Sequence, residues 1–209
     1  MNAETSLTCA VPVQGRKVQQ VIEGAREVFL RDGFEGASVD AIAREAGVSK
    51  ATLYSYFSDK KVLFLAVAKG ECIRQGEIGF HSIDFGAPVP EVLRRSGEMM
   101  MEFITSDLGQ RIFRVCVAES ERFPDLAREF YETGPMVMRE HMIQFLRAAC
   151  ERGELRIHDF TLAAEQFHEL CKADIMPRLV FGVGEVTRAD IRRTIEAAVE
   201  MFMARYGTA

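Results

Sequence analysis

Apolar runs of membrane-spanning length are missing from this chain, which excludes a helical span. The N-terminus lacks a basic stretch followed by an apolar core, so no secretory leader is expected and a cytoplasmic location is. Five cysteines, Cys9, Cys72, Cys116, Cys150 and Cys171, are scattered without a Cys-x-x-Cys or Cys/His spacing, which gives no reason to expect a metal site or a disulfide framework. Cys116, Cys150 and Cys171 fall in apolar helical patterns and are expected as buried, reduced small hydrophobes. No Gly-x-Ser-x-Gly, phosphate-cradling Gly loop, His-Glu-x-x-His or nucleotide fingerprint is present, and acid pairs occur only as ordinary helix-surface groups. Neither an enzyme nor a cofactor is therefore expected. Alternating strand patterns, internal repeats and low-complexity tracts are absent as well.

A positive excess is also lacking. The net charge of -5 argues against a protein that coats nucleic acid through a general positive field. Between Arg16 and Lys61 acids and bases nearly cancel, so most of the negative excess lies in the C-terminal part. Any attraction to a duplex must come from placed contacts and helix N-termini. The 209 residues have room for two small domains or one large one, and 48% hydrophobic residues supply a sizeable core.

What is present is concentrated between Arg16 and Lys61. Three short helical patterns follow one another there, and the break between the second and third reads Ala43-Arg44-Glu45-Ala46-Gly47-Val48-Ser49-Lys50-Ala51-Thr52-Leu53-Tyr54-Ser55-Tyr56-Phe57. Small Ala43 permits close helix approach, Gly47 suits the left-handed residue that ends a helix, and Ser49 can cap the next one. Leu53 and Phe57, four apart, face inward, leaving Lys50, Thr52, Tyr54 and Tyr56 outward or sideways. This pattern fits a helix-turn-helix whose second helix lies in the major groove, hydrogen-bonding phosphates and touching base edges. Val18, Val21, Ile22, Ala25 and Phe29 give the preceding helix one apolar stripe, ended by Asp32-Gly33. Ser38 is expected to cap the second helix and Ser58 a fourth, whose first turn carries Lys60 and Lys61. Positive charge at that N-terminus opposes the helix dipole, so a compensating anion is expected, a DNA phosphate being the natural candidate.

On these residues the stretch from Gly15 to about Lys69 resembles the N-terminal domain of TetR/AcrR-type transcriptional regulators. The resemblance is carried by Ala25-Arg26-Glu27-Val28-Phe29, Gly33-Phe34, Ser38-Val39-Asp40-Ala41-Ile42-Ala43, Ala46-Gly47-Val48-Ser49 and Thr52-Leu53-Tyr54-Ser55-Tyr56-Phe57-Ser58-Asp59-Lys60. It implies an all-α chain of about nine helices. A flexible arm (1–15) precedes a three-helix helix-turn-helix DNA-binding domain (16–61), and a helical effector-binding and dimerisation domain (62–209) follows. It also implies that Lys50 and Thr52 reach bases or nearby phosphates, and that Ser38, Tyr54, Tyr56 and Lys60 hold the backbone, with Ser49 at the start of the reading helix. Arg16 and Lys17, at the arm's junction, read equally well as surface charge or as phosphate and minor-groove contacts.

Helical patterns continue to the end of the chain. The strongest loop signal is Asp84-Phe85-Gly86-Ala87-Pro88-Val89-Pro90. Pro124 suits the first turn of a segment over 125–131, Gly134-Pro135 interrupts before a long helix, and Gly153 stops it. Thr161 is expected to cap a segment that Pro177 kinks or disrupts, and Thr187-Arg188-Ala189-Asp190 begins the last helix as a capping box.

A second resemblance, to the C-terminal domain of the AefR-like branch, rests on residues 121–135, Gly153-Glu154-Leu155 and Ala163-Ala164-Glu165-Gln166-Phe167. It implies a homodimer through the last two helices, Phe167 to Val180 and Ile191 to Phe202, and an effector pocket. Candidate pocket residues are Met99, Phe103, Phe113, Cys116, Met138, Met142, Phe145 and Phe167, with Glu119, His141 and His168 as polar anchors. Ordinary core packing explains the same apolar stripes, although ten methionines and fifteen phenylalanines with no tryptophan would make an adaptable lining. The partners implied are a palindromic double-stranded DNA operator and a small apolar effector that releases a repressor from it by moving the fourth helix. No membrane partner is expected. A small-molecule carrier or interaction module without DNA binding is the alternative.

Overall fold

The computed structural model describes residues 15–81 and 83–208, with side chains at all of these except 72, 75–81 and 126. The expected arm lies outside the described residues except for Gly15. Among the described residues there are eleven helices: α1 (Arg16–Gly36), α2 (Val39–Glu45), α3 (Lys50–Tyr56), α4 (Lys60–His81), α5 (Val89–Thr105), α6 (Asp107–Glu119), α7 (Pro124–Thr133), α8 (Pro135–Glu151), α9 (Phe160–Lys172), α10 (Ile175–Phe181) and α11 (Arg188–Tyr206). No strand is present among them beyond an isolated antiparallel bridge between Leu155 and Gly207. None of these helices is long and apolar enough to cross a membrane.

The chain divides into two compact units. The first holds residues 15–72 and Arg111–Glu132. Val18, Val21, Ala25, Val28 and Phe29 are buried along α1, as their spacing dictates. Gly33, at φ 70° and ψ 175°, is non-helical, so the main run of α1 stops at Asp32-Gly33 as its sequence predicts, and a short further turn carries the chain to Gly36. There the Phe29, Phe34 and Phe64 rings pack together, with Phe64 edge-on to Phe29 at 5.1 Å and to Phe34 at 4.9 Å. The expected boundary after Lys61 falls inside this unit, and residues 111–132, expected with the C-terminal domain, belong to it. Long-range pairs explain this: Lys61 on α4 binds Glu119 on α6, and Lys69 on α4 binds Glu129 on α7.

The second unit comprises Ile73–Gln110 and Thr133–Ala209. Its core draws Leu93 and Met101 from α5, Leu146 from α8, Phe167 from α9 and Ile195 and Phe202 from α11, each almost wholly buried. Gly97 lets α5 approach closely, since a Cβ there would stand 3.2 Å from both Cys171 Sγ and Ile195 Cγ2. Arg94 donates to both oxygens of Glu196, at 2.6 and 3.1 Å, across the α5–α11 contact.

Several local expectations shift within this unit. Asp159, not Thr161, caps α9, accepting from the Leu162 amide at 2.9 Å. The kink or disruption expected at Pro177 falls earlier, as a break at Ala173–Asp174, the pair of residues that immediately precedes α10, with Asp174 at φ 58°. Pro177 therefore sits in the first turn of α10, where its missing N–H leaves no ladder bond unmade. Thr187 and Asp190 form the capping box that opens α11.

Candidate nucleic-acid interface

The interface is built from α2, its turn and α3, all in the first unit. Ser38 adopts extended backbone angles and its Oγ accepts from the Ala41 amide at 3.1 Å, which caps α2. The helix ends in a Schellman turn: Gly47 is left-handed at φ 62°, its amide donates to the Arg44 carbonyl at 3.2 Å, and the Val48 amide donates to the Ala43 carbonyl at 3.0 Å. Ser49 caps α3 by accepting from the Thr52 amide at 3.0 Å, and its Oγ lies 2.8 Å from Thr52 Oγ1. Because a hydroxyl that accepts as a cap keeps its own hydrogen, Ser38 retains a donor for a phosphate oxygen.

Leu53 and Phe57 are fully buried, which fixes the rotation of α3 about its axis. Lys50, Tyr54 and Ser55 are then exposed, while Thr52 and Tyr56 are half-buried. Hydroxyls and an ammonium are thus presented from one short helix, the donor set suited to phosphates and base edges. Lys50 is not idle: its Nζ lies 2.5 Å from Oδ1 of exposed Asp40. That hydrogen bond, with the carboxylate's charge behind it, holds the ammonium above the usual lysine range.

Lys60 stands differently from the expectation. Its Nζ turns inward, donating to the Phe34 carbonyl at 2.8 Å and the Ala37 carbonyl at 3.0 Å, and sits 4.5 Å from the centre of the Phe34 ring. The lysine thereby satisfies carbonyls at the end of α1 instead of standing out towards solvent. The anion expected at the start of α4 is supplied by the chain itself. Asp59, not Ser58, caps the helix, its Oδ1 accepting from the Lys61 and Val62 amides at 2.6 and 3.0 Å.

Sequence reading missed Gly24, although a glycine inside a helical pattern signals close packing. A Cβ there would meet the Ala46 amide nitrogen at 2.6 Å, so α1 and the end of α2 touch closely through Gly24 and Ala46. It also missed Asp40 as the partner of Lys50.

The effector candidates are dispersed. Phe113, Cys116 and Glu119 belong to the first unit, and Met99, Phe103, Met138, His141, Met142, Phe145, Phe167 and His168 to the second. Glu119 is bound by Lys61, with Arg122 3.9 Å away, so it is already partnered within its unit. Met142, Phe145 and Phe167 are core residues at 5, 4 and 0% exposure. Burial pushes the Cys116 and Cys171 thiols up to about 12, which leaves them inert at neutral pH. Burial also lowers His141, and burial followed by Lys172 brings His168 down to about 4. Two clefts of about 450 and 470 Å³ contain none of the eleven: one lies between α1 and α2, the other between α9 and α11.

With this geometry in place, comparison with known proteins is informative. A family model described as bacterial regulatory proteins, tetR family, matches residues 21–67, and one described as the C-terminal domain of AefR-like transcriptional repressors matches residues 91–208. The transcriptional repressor AcnR of Corynebacterium diphtheriae is 40% identical over 60 residues, 29% of this chain and 32% of AcnR, so the match spans about a third of that relative's length. The regulator UidR of Escherichia coli K12 is 27% identical over 143 residues, 65% of this chain and 67% of UidR. The flavonoid-responsive regulator FrrA superposes with a TM-score of 0.69 at 35% identity, covering 93% of this chain and 98% of FrrA. A TetR-family regulator from Mesorhizobium loti shares the fold at TM-score 0.76 and 24% identity, over 93% of this chain and all of that one. These relatives are regulators, not enzymes. The chain belongs to the TetR family of bacterial transcriptional regulators, with a C-terminal domain of the AefR-like branch.

Proposed function

We propose that this protein is a sequence-specific repressor that reads a palindromic operator as a homodimer and is released by a small apolar effector. The observation that carries the reading is α3 itself, capped by Ser49 and seated by Leu53 and Phe57 so that Lys50 and Tyr54 are exposed and Thr52 and Tyr56 half-exposed beside them. These four, with Ser38 and Ser49, are the proposed contacts. Lys60 holds the α1 end in place for them. A seven-residue helix, about 10 Å long, spans only a few base pairs, so two copies related by symmetry are needed for a specific site.

The second copy is assigned to the last helices. Val180, Phe181, Val183 and Met201 are exposed apolar side chains at 45, 78, 63 and 58%, in or beside the segments assigned to the dimer contact. Effector release is proposed from family membership. The similarity to FrrA, flavonoid-responsive by its name, makes flavonoids the first compounds to try.

The reading is tested by selecting duplexes from a random library with the purified protein and titrating the enriched sequence by fluorescence anisotropy. A palindrome should emerge, and Thr52→Ala and Tyr54→Phe should each weaken it by about 1–3 kcal/mol. Enrichment of no sequence would sink the proposal in favour of a carrier or interaction module.

A further inference from the structure

Glu119 ends α6 with its side chain only 13% exposed, and its carboxylate is paired with the Lys61 ammonium in the first turn of α4. Arg122, three residues on, approaches Glu119 Oε2 at 3.9 Å and Asp59 Oδ2 at 4.0 Å. Asp59 in turn holds the first amides of α4. Four side chains therefore alternate in sign, Asp59, Arg122, Glu119 and Lys61, and tie the α6–α7 corner to the start of α4. Isolated exposed ion pairs do little, but a network in which each member is ordered by another, with one carboxylate mostly withdrawn from solvent, is a stronger tie and is screened less by salt.

The position of the tie matters more than its strength. Asp59 is two residues beyond Phe57, the buried residue that closes α3. A displacement at the start of α4 has only Ser58 in which to be absorbed before it reaches α3. At its other end, the guanidinium of Arg111 on α6 reaches the Gly33 bend of α1, where a Cβ on Gly33 would lie 2.8 Å from Arg111 Nη1.

We propose that Glu119 is a positioning residue for DNA binding: through Lys61 and Arg122 it fixes the start of α4 and so the seat of α3 on the duplex. Lys61 serves the protein's own frame, not a phosphate. This rests on the DNA-reading function proposed above.

The probe is the duplex that the wild-type protein enriches, with affinity read by anisotropy and folding by circular dichroism and thermal unfolding. Glu119→Lys and Lys61→Glu should each weaken binding about tenfold or more with helicity unchanged. The exchange variant carrying both substitutions should recover to within about threefold of wild type, and Lys61→Arg should bind normally. Lys61→Gln should leave the slope of log affinity against log salt at its wild-type value. The proposal is overturned if the milder Glu119→Gln and Glu119→Lys both bind within twofold of wild type, or if the exchange variant stays as weak as Lys61→Glu. It is also overturned if Lys61→Gln lowers the salt slope by about one, the mark of a lost phosphate contact. A wild-type chain that enriches no duplex removes both readings, whereas these three results remove only this one.

Discussion

Gly24 and Ala46 touch so closely that a single added carbon on Gly24 would lie 2.6 Å from the Ala46 amide nitrogen and 2.7 Å from its Cα. Alanine is the better helix former, so Gly24→Ala should stabilise α1 by propensity alone. The contact is with backbone, however, and cannot be relieved by turning a side chain. Overpacking of this kind costs about 1–3 kcal/mol, and the net effect expected is destabilisation with weakened operator binding as α2 is pushed aside. Urea unfolding read by circular dichroism checks the first part. An unchanged or raised midpoint would show that α2 has room to move.

If Lys50 meets a phosphate as proposed, Asp40 competes with the duplex for its ammonium. Asp40→Asn removes both the partner that holds the ammonium and a negative charge beside the proposed phosphate path. Operator affinity should rise severalfold at low salt, with a steeper salt dependence because Lys50 is then free to neutralise a phosphate. An anisotropy series from 50 to about 200 mM salt reads both quantities.

His168 is held neutral by burial first and Lys172 second, with Glu169 and Glu165 pulling weakly the other way. Its folded value of about 4 lies below the ordinary 6.5, so between these values the unfolded chain takes up the proton and the folded one does not. Stability from this group is fully present above 6.5 and is lost as pH falls towards 4. Unfolding midpoints should drop over that window, and His168→Gln should flatten the drop. Some slope will remain, since His141 is lowered in the same direction.

Phe181, at 78% exposure, is the most exposed of the large apolar side chains described. If the proposed dimer forms through the last helices, Phe181→Glu places a charge in its interface and should halve the mass measured by light scattering. Operator affinity should fall with it, since a single reader covers too few base pairs. A variant that keeps the wild-type mass would move the interface elsewhere.

The features legible in the sequence were those decided by neighbours along the chain. Ser38, Gly47 and Ser49 act through amides and carbonyls no more than five residues away, and the Thr187–Asp190 box spans three. Leu53 and Phe57 were legible because helical spacing alone puts them on one face. The caps of α4 and α9 are not legible, since Ser58 and Asp59, like Thr161 and Asp159, are equally able to cap, and only the exact entry of the chain into the helix chooses between them. The direction of Lys60 was not legible, because the carbonyls it seeks lie 26 and 23 residues earlier. The partner of Glu119 is 58 residues away. No local rule contains such distances, and a polar residue on an apolar stripe reads identically whether it awaits a ligand or an ion pair.

The shortness of α3 has a consequence for any attempt to borrow it. Seven residues form too few hydrogen bonds to repay helix nucleation in water, so residues 49–57 excised as a peptide are coil. The helical form exists on loan from the sockets that receive Leu53 and Phe57. Unseating those two side chains would therefore dissolve the recognition surface altogether, not merely tilt it.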